Sequence, residues 1–424
     1  VRRELQDNQP TWIQLGADID GRDAYGHLAD KVALSSNGTV LAAGGPTSSI
    51  ISPITGYVRV FKYASNTWTQ LGSDIDGEAI SYDGSSVSLS SDGTVLAVGG
   101  AWSNGDNSGR VRVYKYANGK WTQWGADING EAVSDYFGCS VHLSSDGTVL
   151  AVGASGNDGK NGIDSGYVRV YQYNGRKKGW TQRGANIDGE AAGDSSGDSV
   201  SLSSDGTVLA VGASASGVNN VRSGHVRVYK FANSEWTQLG ADIDGEADYD
   251  YFGLSVSLSS NGTFVAAGAL YNDGENGVNS GHVRVYQFVN NAWTQLGADI
   301  GREAECDRSG KAVSLSSDGT IVAVGAPNND GTSLFSSDRG HVRVYKYANS
   351  MWTQLGADID GEADTDYFGA SVSLSSCGTI VAAAAIYNEG GYDYEANAGH
   401  VRVYQITATG PSPQPTKKSK AHHQ

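Results

Sequence analysis

One tryptophan recurs seven times along this chain, at Trp12, Trp68, Trp121, Trp180, Trp236, Trp293 and Trp352. The intervals run from 53 to 59 residues, so seven copies of one unit fill the sequence from about residue 11 to residue 406. Self-similarity at such a period is the mark of a repeat architecture whose units share a core. Each copy holds four short segments; in the copy that begins at Trp236 they are 236–243, 255–259, 263–267 and 282–286. The second and fourth alternate apolar with polar residues, the period of a half-buried strand, and the third is a continuous apolar run, as for a strand buried on both faces. Asn-Gly or Asp-Gly pairs, such as Asp92-Gly93, Asp146-Gly147 and Asp205-Gly206, stand between the second and third segments and close tight hairpins.

No helical periodicity of useful length occurs, so the fold class is all-β. Four antiparallel strands per unit and seven units make a seven-bladed β-propeller. The chain opens on a Trp strand, 12–16, and its seventh unit ends at 400–404 without one. The N-terminal strand is therefore expected to complete the last blade, closing the ring and removing two exposed edges. Residues 1–406 form the propeller; 407–424 are a tail, first rich in Pro, Ser and Thr, then in Lys and His.

A hydrophobic fraction of 39%, with 9 Trp and 22 Tyr, supplies a core and excludes disorder for most of the chain. No apolar run nears the roughly 20 residues that cross a bilayer, so membrane insertion is not expected. Thirty basic against 46 acidic residues leave a net charge of −16. That field is the reverse of a nucleic-acid-binding footprint and excludes that partner class. Three cysteines, Cys139, Cys306 and Cys377, are an odd number and make no disulfide framework.

Tyr136-Phe137-Gly138, Tyr251-Phe252-Gly253 and Tyr367-Phe368-Gly369 each open a second segment, Gly325-Ala326-Pro327 closes a third, and Gly-His-Val-Arg-Val-Tyr opens the fourth. With these motifs the repeat resembles the FG-GAP repeats of integrin α-subunit propellers. It is degenerate in the first, second, fourth and sixth copies. The resemblance implies an extracellular scaffold for adhesion or assembly, secreted or at the cell surface. The long Asp-rich calcium loop of integrin-type repeats has only a tight turn as its counterpart here, so that site is not carried over.

One face of the ring collects most of the acid, including Asp242, Asp244, Glu246, Asp248 and Asp250, together with Tyr249, Tyr251, Tyr271 and Tyr387. Two readings stand: turn chemistry copied by duplication, or a cation site. For Ca²⁺ the candidate ligands are Asn157, Asp158, Asn161 and Asp164 in one loop and Asn272, Asp273 and Asn276 in another, neither with EF-hand spacing. Every fourth segment carries an Arg (Arg59, Arg112, Arg169, Arg227, Arg284, Arg343, Arg402), and six units carry a Glu (Glu78, Glu131, Glu190, Glu246, Glu303, Glu362). An Arg between packed blades needs a partner, so these are expected to form structural ion pairs, with different pairing at Arg22, which replaces Glu in the first unit.

Gly193–Gly197 spells Gly-x-Ser-x-Gly but lacks the strand-to-helix setting of a nucleophile elbow. His225, His282, His341 and His400 repeat at one strand position in separate blades. Catalysis is accordingly not expected. Asn37 and Asn261 lie in Asn-Gly-Thr sequons on hairpin tips and are either glycosylation sites or replacements for the Asp of sister units. Lys417, Lys418 and Lys420 make the tail basic, and its meeting Asp248, Tyr249, Asp250 and Tyr251 of a neighbour would be a head-to-tail contact that propagates. The expected role is a non-enzymatic extracellular protein that self-assembles into a fibre or surface layer. The alternative is a recognition or adhesion module that binds glycan or protein on the acidic, Tyr-rich face.

Overall fold

The computed structural model describes residues 10–22, 28–46, 55–78, 81–215, 222–274, 277–301, 304–330, 338–387 and 398–407. Seven antiparallel sheets follow one another around an axis. The fifth shows the plan: inner strand Ser255–Leu258, second strand Phe264–Ala269, third strand His282–Val289 and outer strand Ala292–Gln295. The last sheet takes Phe368–Leu374, Ile380–Ala385 and His400–Ile406 from the chain's end, and Trp12–Gln14 as its outer strand. Trp12 pairs with Ile406 and Gln14 with Tyr404, so the N-terminal strand closes the ring, as the phase of the repeat requires. A single helical turn, Gly175–Lys178, interrupts the all-β order.

The core is not central. It consists of seven apolar slabs, each between two neighbouring blades; one joins Val95, Ala97, Val111 and Val113 to Val141, Leu143, Leu150 and Val152. Second strands such as Val149–Ala154 are buried along their whole length, which explains why their sequence is apolar on both sides. The inner strands pack on one another around an axial channel.

The recurring tryptophan has a specific task. The indole N–H of each donates to a backbone carbonyl on the preceding blade's outer strand: Trp12 to Leu355, Trp68 to Leu15, Trp121 to Leu71, Trp180 to Trp124, Trp236 to Arg183, Trp293 to Leu239 and Trp352 to Leu296, all at 2.6–2.8 Å. The segment read as one strand over 236–243 is in fact two, Glu235–Gln238 and Ile243–Asp244, both paired to His225–Ala232. The break sits at Gly240, whose φ is +82° and where an added Cβ would lie 2.9 Å from the Trp293 ring of the next blade. The glycine that follows each Trp strand, preceded by Leu in five units and by Trp124 or Arg183 in the others, is thus shaped to receive the next tryptophan.

A second ring closes the far end of the channel. Ser36 N–H donates to the carbonyl of Ser91, Ser91 to Ser145, Ser145 to Ser204, Ser204 to Ser260, Ser260 to Ser317, Ser317 to Ser376 and Ser376 back to Ser36, at 2.8–2.9 Å. Replacing Trp293 with Phe removes one indole bond and keeps most of the apolar area, so a loss of about 1 kcal/mol is expected. Gly240→Ala should cost more, since it combines a positive φ with a clash. Urea denaturation midpoints measure both, and equal stability of Gly240→Ala and the wild type would refute the packing role.

Candidate binding site at the axial mouth

The turn that enters each inner strand builds the mouth on the acidic face. In Asp135-Tyr136-Phe137-Gly138, the Asp135 carboxylate accepts from the Glu131 and Ala132 N–H groups at 2.9 and 2.8 Å. Phe137 is fully buried. Gly138, at φ +92°, brings its carbonyl to 2.2 Å from where a Cβ on Gly99 of the adjacent blade would stand, so both positions require glycine. The residue before the Phe position takes a left-handed conformation in five units, with φ of 53–54° at Tyr136, Ser195, Tyr251, Arg308 and Tyr367.

Above blades three to six these turns surround a cavity of about 560 Å³, lined by Tyr136, Asp164, Ser195, Arg222, Tyr251 and Tyr271 among others, with Asp198 and Lys311. Tyr251 and Tyr271 meet edge to face, centroids 5.3 Å apart. Arg222 donates to the Tyr251 hydroxyl at 2.8 Å, and the Arg308 guanidinium lies 5.2 Å from the Tyr271 ring centre. A smaller space of about 240 Å³ in the upper channel is lined by Cys139, Asp198, Leu254, Lys311 and Lys31.

These groups are electrostatically unusual. Burial pushes the Asp198 carboxyl up, against hydrogen bonds from Ser214 and Ser155 and the charge of Lys311. Burial, with repulsion from Lys31 and Arg308, brings the Lys311 amine down to about 8, against the pull of Asp30 and Asp198. Burial and the Asp198 charge raise the Cys139 thiol. Deeper in the wall, the His142 imidazole accepts from the Leu202 N–H at 3.1 Å, where Ser88, Ser201, Ser257, Ser314 and Ser373 do the same in other units. Burial lowers His142 to about 4. Asp198 and Lys311 carry no signal in the sequence reading above, and Cys139 enters it only through the odd number of cysteines. All three occupy one position, directly after the Gly of the repeat motif, which elsewhere holds Leu254 or Ala370.

The arginines of the third strands are held by carboxylates, and most of them bridge two blades. Arg227 donates to Asp242 of its own blade at 2.8 and 3.0 Å and pairs with Glu190 from the preceding unit. Arg284 likewise joins Asp299 and Glu246. Arg169 joins Glu131 at 2.6 Å, and Arg402 joins Glu362 at 3.3 Å. Arg112 pairs with Glu78 and Asp127, and hydrogen bonds from Arg110 and Arg112 hold Glu78 down near 2. Arg343 pairs with Asp358 at 2.6 Å; Glu303 lies outside the described residues. Arg22 reaches Asp74 and Asp76, and Arg59 reaches Asp74. His225, His282, His341 and His400 each approach two carboxylates, within 4.8 Å: Asp242 and Asp244, Glu246 and Asp299, Asp358 and Asp360, Asp18 and Glu362. Most of those carboxylates are the ones the arginines hold.

The calcium candidates are engaged in their own loops. Asn157 donates to Asp135 at 2.7 Å and accepts from the Gly159 N–H, Asn161 donates to the Gly189 carbonyl, and Asp158 accepts from the Asp164 N–H. Asp273 accepts from the Asn279 N–H, and Asn272 donates to Asp250 and Glu246. Asn276 lies outside the described residues. Of the expected assembly residues, Asp248 and Tyr249 are exposed and Tyr251 lines the cavity. Asp250 departs from that expectation: it is 1% exposed and accepts from Ala247 N–H and Asn272, so it braces the turn rather than meeting a neighbour. Lys417, Lys418 and Lys420 lie outside the described residues. Asn37 and Asn261 are exposed tips whose side-chain oxygens accept from Thr39 and Thr263. Gly193–Gly197 leads into strand Ser196–Leu202, with no helix, so no nucleophile elbow forms.

Within this geometry, residues 129–171 match the FG-GAP repeat family model. That stretch is similar to an FG-GAP repeat. It spans the inner strand, the second strand and most of the third strand of the third blade, with the Tyr136-Phe137-Gly138 turn. No curated protein matches the sequence. A periplasmic gluconolactonase from Pseudomonas aeruginosa has a similar structure, with TM-score 0.51 and 16% identity over 79% of this chain and 86% of that one. A putative 6-phosphogluconolactonase from Bacteroides uniformis gives TM-score 0.54 and 13% identity over 81% and 88%. These structures overturn the expectation that the chain is no enzyme. That expectation rested on the missing nucleophile elbow and on histidines spread over separate blades, whereas similar rings are named as enzymes. At such identities the likeness establishes the fold, and the chemistry must be argued from side chains.

His142 gives a pH prediction. Its folded value near 4 lies below the ordinary value of about 6.5 for an unfolded His. A depressed imidazole stabilises the fold above its unfolded value, and that contribution is lost as pH falls from about 6.5 towards 4. His142→Ser restores the acceptor used by sister blades and should lose less stability over that range. Parallel losses in urea midpoints would show that His142 does not titrate in this way.

Proposed function

We propose that the protein is a recognition propeller that binds a saccharide at the mouth on its acidic, Tyr-rich face. The observation that carries this reading is the cavity of about 560 Å³ under Tyr136, Tyr251 and Tyr271. Its size falls among small-ligand sites, about 300–1,000 Å³. Tyrosine rings offer flat apolar faces with a polar tip, suited to the C–H face of a sugar ring. The hydroxyls of Ser155, Ser195 and Ser214, with Asp164 and Arg222, supply donors and acceptors at the rim. The seven units are otherwise closely alike, and this face is where they diverge in side chains that meet a ligand.

The test is titration calorimetry of the full chain with neutral mono- and disaccharides, including methyl glycosides. A saturable heat is expected, weakened at least tenfold by Tyr271→Ala. Absence of saturation by any sugar, with the chain folded, would sink the reading.

A second reading, docking of further copies of the chain on this face, is favoured by its exposed apolar tips. Val133 is 69%, Ile163 70% and Val278 50% exposed, all on loops of that face. Electron microscopy of the full chain beside a chain ending at Ala408 and a Val133→Asp/Ile163→Asp variant tests it. Filaments from the full chain alone are the expected result, and single rings in all three samples would end it.

A further inference from the structure

The floor of the mouth holds a pair of groups that ligand recognition alone does not require. Asp198 and Lys311 line both the cavity on the face and the space in the upper channel, so they stand where one opens into the other. Both follow the motif glycine of their units, a position the fold also fills with Leu254 and Ala370, so packing does not demand a charge there. Among the described residues, no carboxylate lies within ion-pair distance of the Lys311 amine.

We propose that Lys311 and Asp198 act as an amine–acid pair that captures the aldehyde carbon of an open-chain reducing sugar as an imine. This deepens the saccharide reading of the same mouth and rests on it. The Lys311 nitrogen attacks the carbonyl carbon, forming the C–N bond while the C=O π pair moves to oxygen and takes up the proton that nitrogen sheds. The resulting hydroxyl then leaves as water with a proton from the Asp198 carboxyl, and the nitrogen lone pair closes C=N. The net change is amine, aldehyde and carboxylic acid to protonated imine, carboxylate and water, with no oxidant or reductant. The Asp198 carboxylate left behind faces the protonated imine.

The surroundings suit both roles. Burial and the nearby Lys31 and Arg308 bring the amine towards 8, opposed by Asp30 and Asp198. About one molecule in ten then carries a free amine at pH 7. Burial raises Asp198, which favours its protonated form against the hydrogen bonds of Ser214 and Ser155 and the charge of Lys311. Cys139, also in the channel wall, is favoured as the neutral thiol chiefly by burial, which weakens it as a competing nucleophile.

The experiment uses the folded full chain at pH 7 with glyceraldehyde and cyanoborohydride, which reduces any imine to a stable amine, followed by peptide mass mapping. Lys311 should be alkylated at least tenfold faster than the exposed Lys62 and Lys230. Asp198→Asn should slow labelling at Lys311 several-fold and leave the other two unchanged. Raising the pH to 9 should narrow the difference, because the free base of the exposed amines rises about a hundredfold while that of Lys311 rises only about tenfold. Labelling of Lys311 no faster than of Lys62 overturns the proposal, as does an Asp198→Asn variant of native circular dichroism that labels like the wild type. Binding of methyl glycosides, which have no free aldehyde, reads the saccharide site separately. If they bind and Lys311 is not labelled, the imine fails and the recognition reading stands. If Lys311 is labelled selectively and no saccharide binds, the recognition reading fails alone and the pair is a trap for small aldehydes.

Discussion

Everything in this molecule depends on one constraint: a four-stranded blade has two apolar faces and can hide neither by itself. Each face is covered by the next blade, so the core exists only as seven slabs in the gaps. The requirement propagates around the axis and is met when the last blade reaches the first. The strand Trp12–Gln14, borrowed from the other end of the chain, turns a row of blades into a circle. Apolar contact alone would allow neighbouring blades to slide. The indole bonds at the rim and the serine bonds at the hub fix the angle between them at two radii, since each has a narrow range of length and direction.

The polar layer between the blades follows the same logic. A guanidinium placed where two blades meet is tolerated because carboxylates from both sides converge on it, as Asp242 and Glu190 do on Arg227. Burial works to raise Asp242, and the bonds from Arg227 and Gln238 overcome it and hold the carboxylate ionised. Replacing one member leaves the others buried and uncompensated, which is the costly case. The conspicuous acid of the Asp-Ile-Asp-Gly-Glu segments is therefore partly internal: much of it neutralises arginine rather than facing solvent.

The ring was legible in the sequence because it is written seven times. Period-two alternation, Asp-Gly tips and the marching tryptophan each repeat often enough for exceptions to stand out as exceptions. The mouth was hard to read for the opposite reason. Asp198 and Lys311 lie more than a hundred residues apart and line one space only because two inner strands start at the same height on a closed circle. The histidines were legible as one per blade, but the carboxylates that face them come from other segments and become neighbours only through strand pairing, as Asp244 does opposite His225. A usable signal was present all the same. Setting the units beneath one another shows a column that reads Cys139, Asp198, Leu254, Lys311 and Ala370, where neighbouring columns scarcely vary.

The hub serines point to a difference between the two ends of the channel. In a helix, aligned peptide dipoles add along the axis and leave a partial charge at each end. The seven N–H···O=C bonds that link Ser36 through Ser376 run around the axis instead, each donor feeding the next acceptor until the first is reached again. Such a loop of dipoles has no beginning or end, and its components along any line across the ring cancel. Across the ring these seven bonds therefore contribute no net dipole. The charge at that end comes instead from Asp92, Asp146, Asp205 and Asp318, each next to a hub serine on an exposed hairpin tip, whereas the opposite opening carries both Asp198 and Lys311, so the two openings are electrically inequivalent although every blade runs through both.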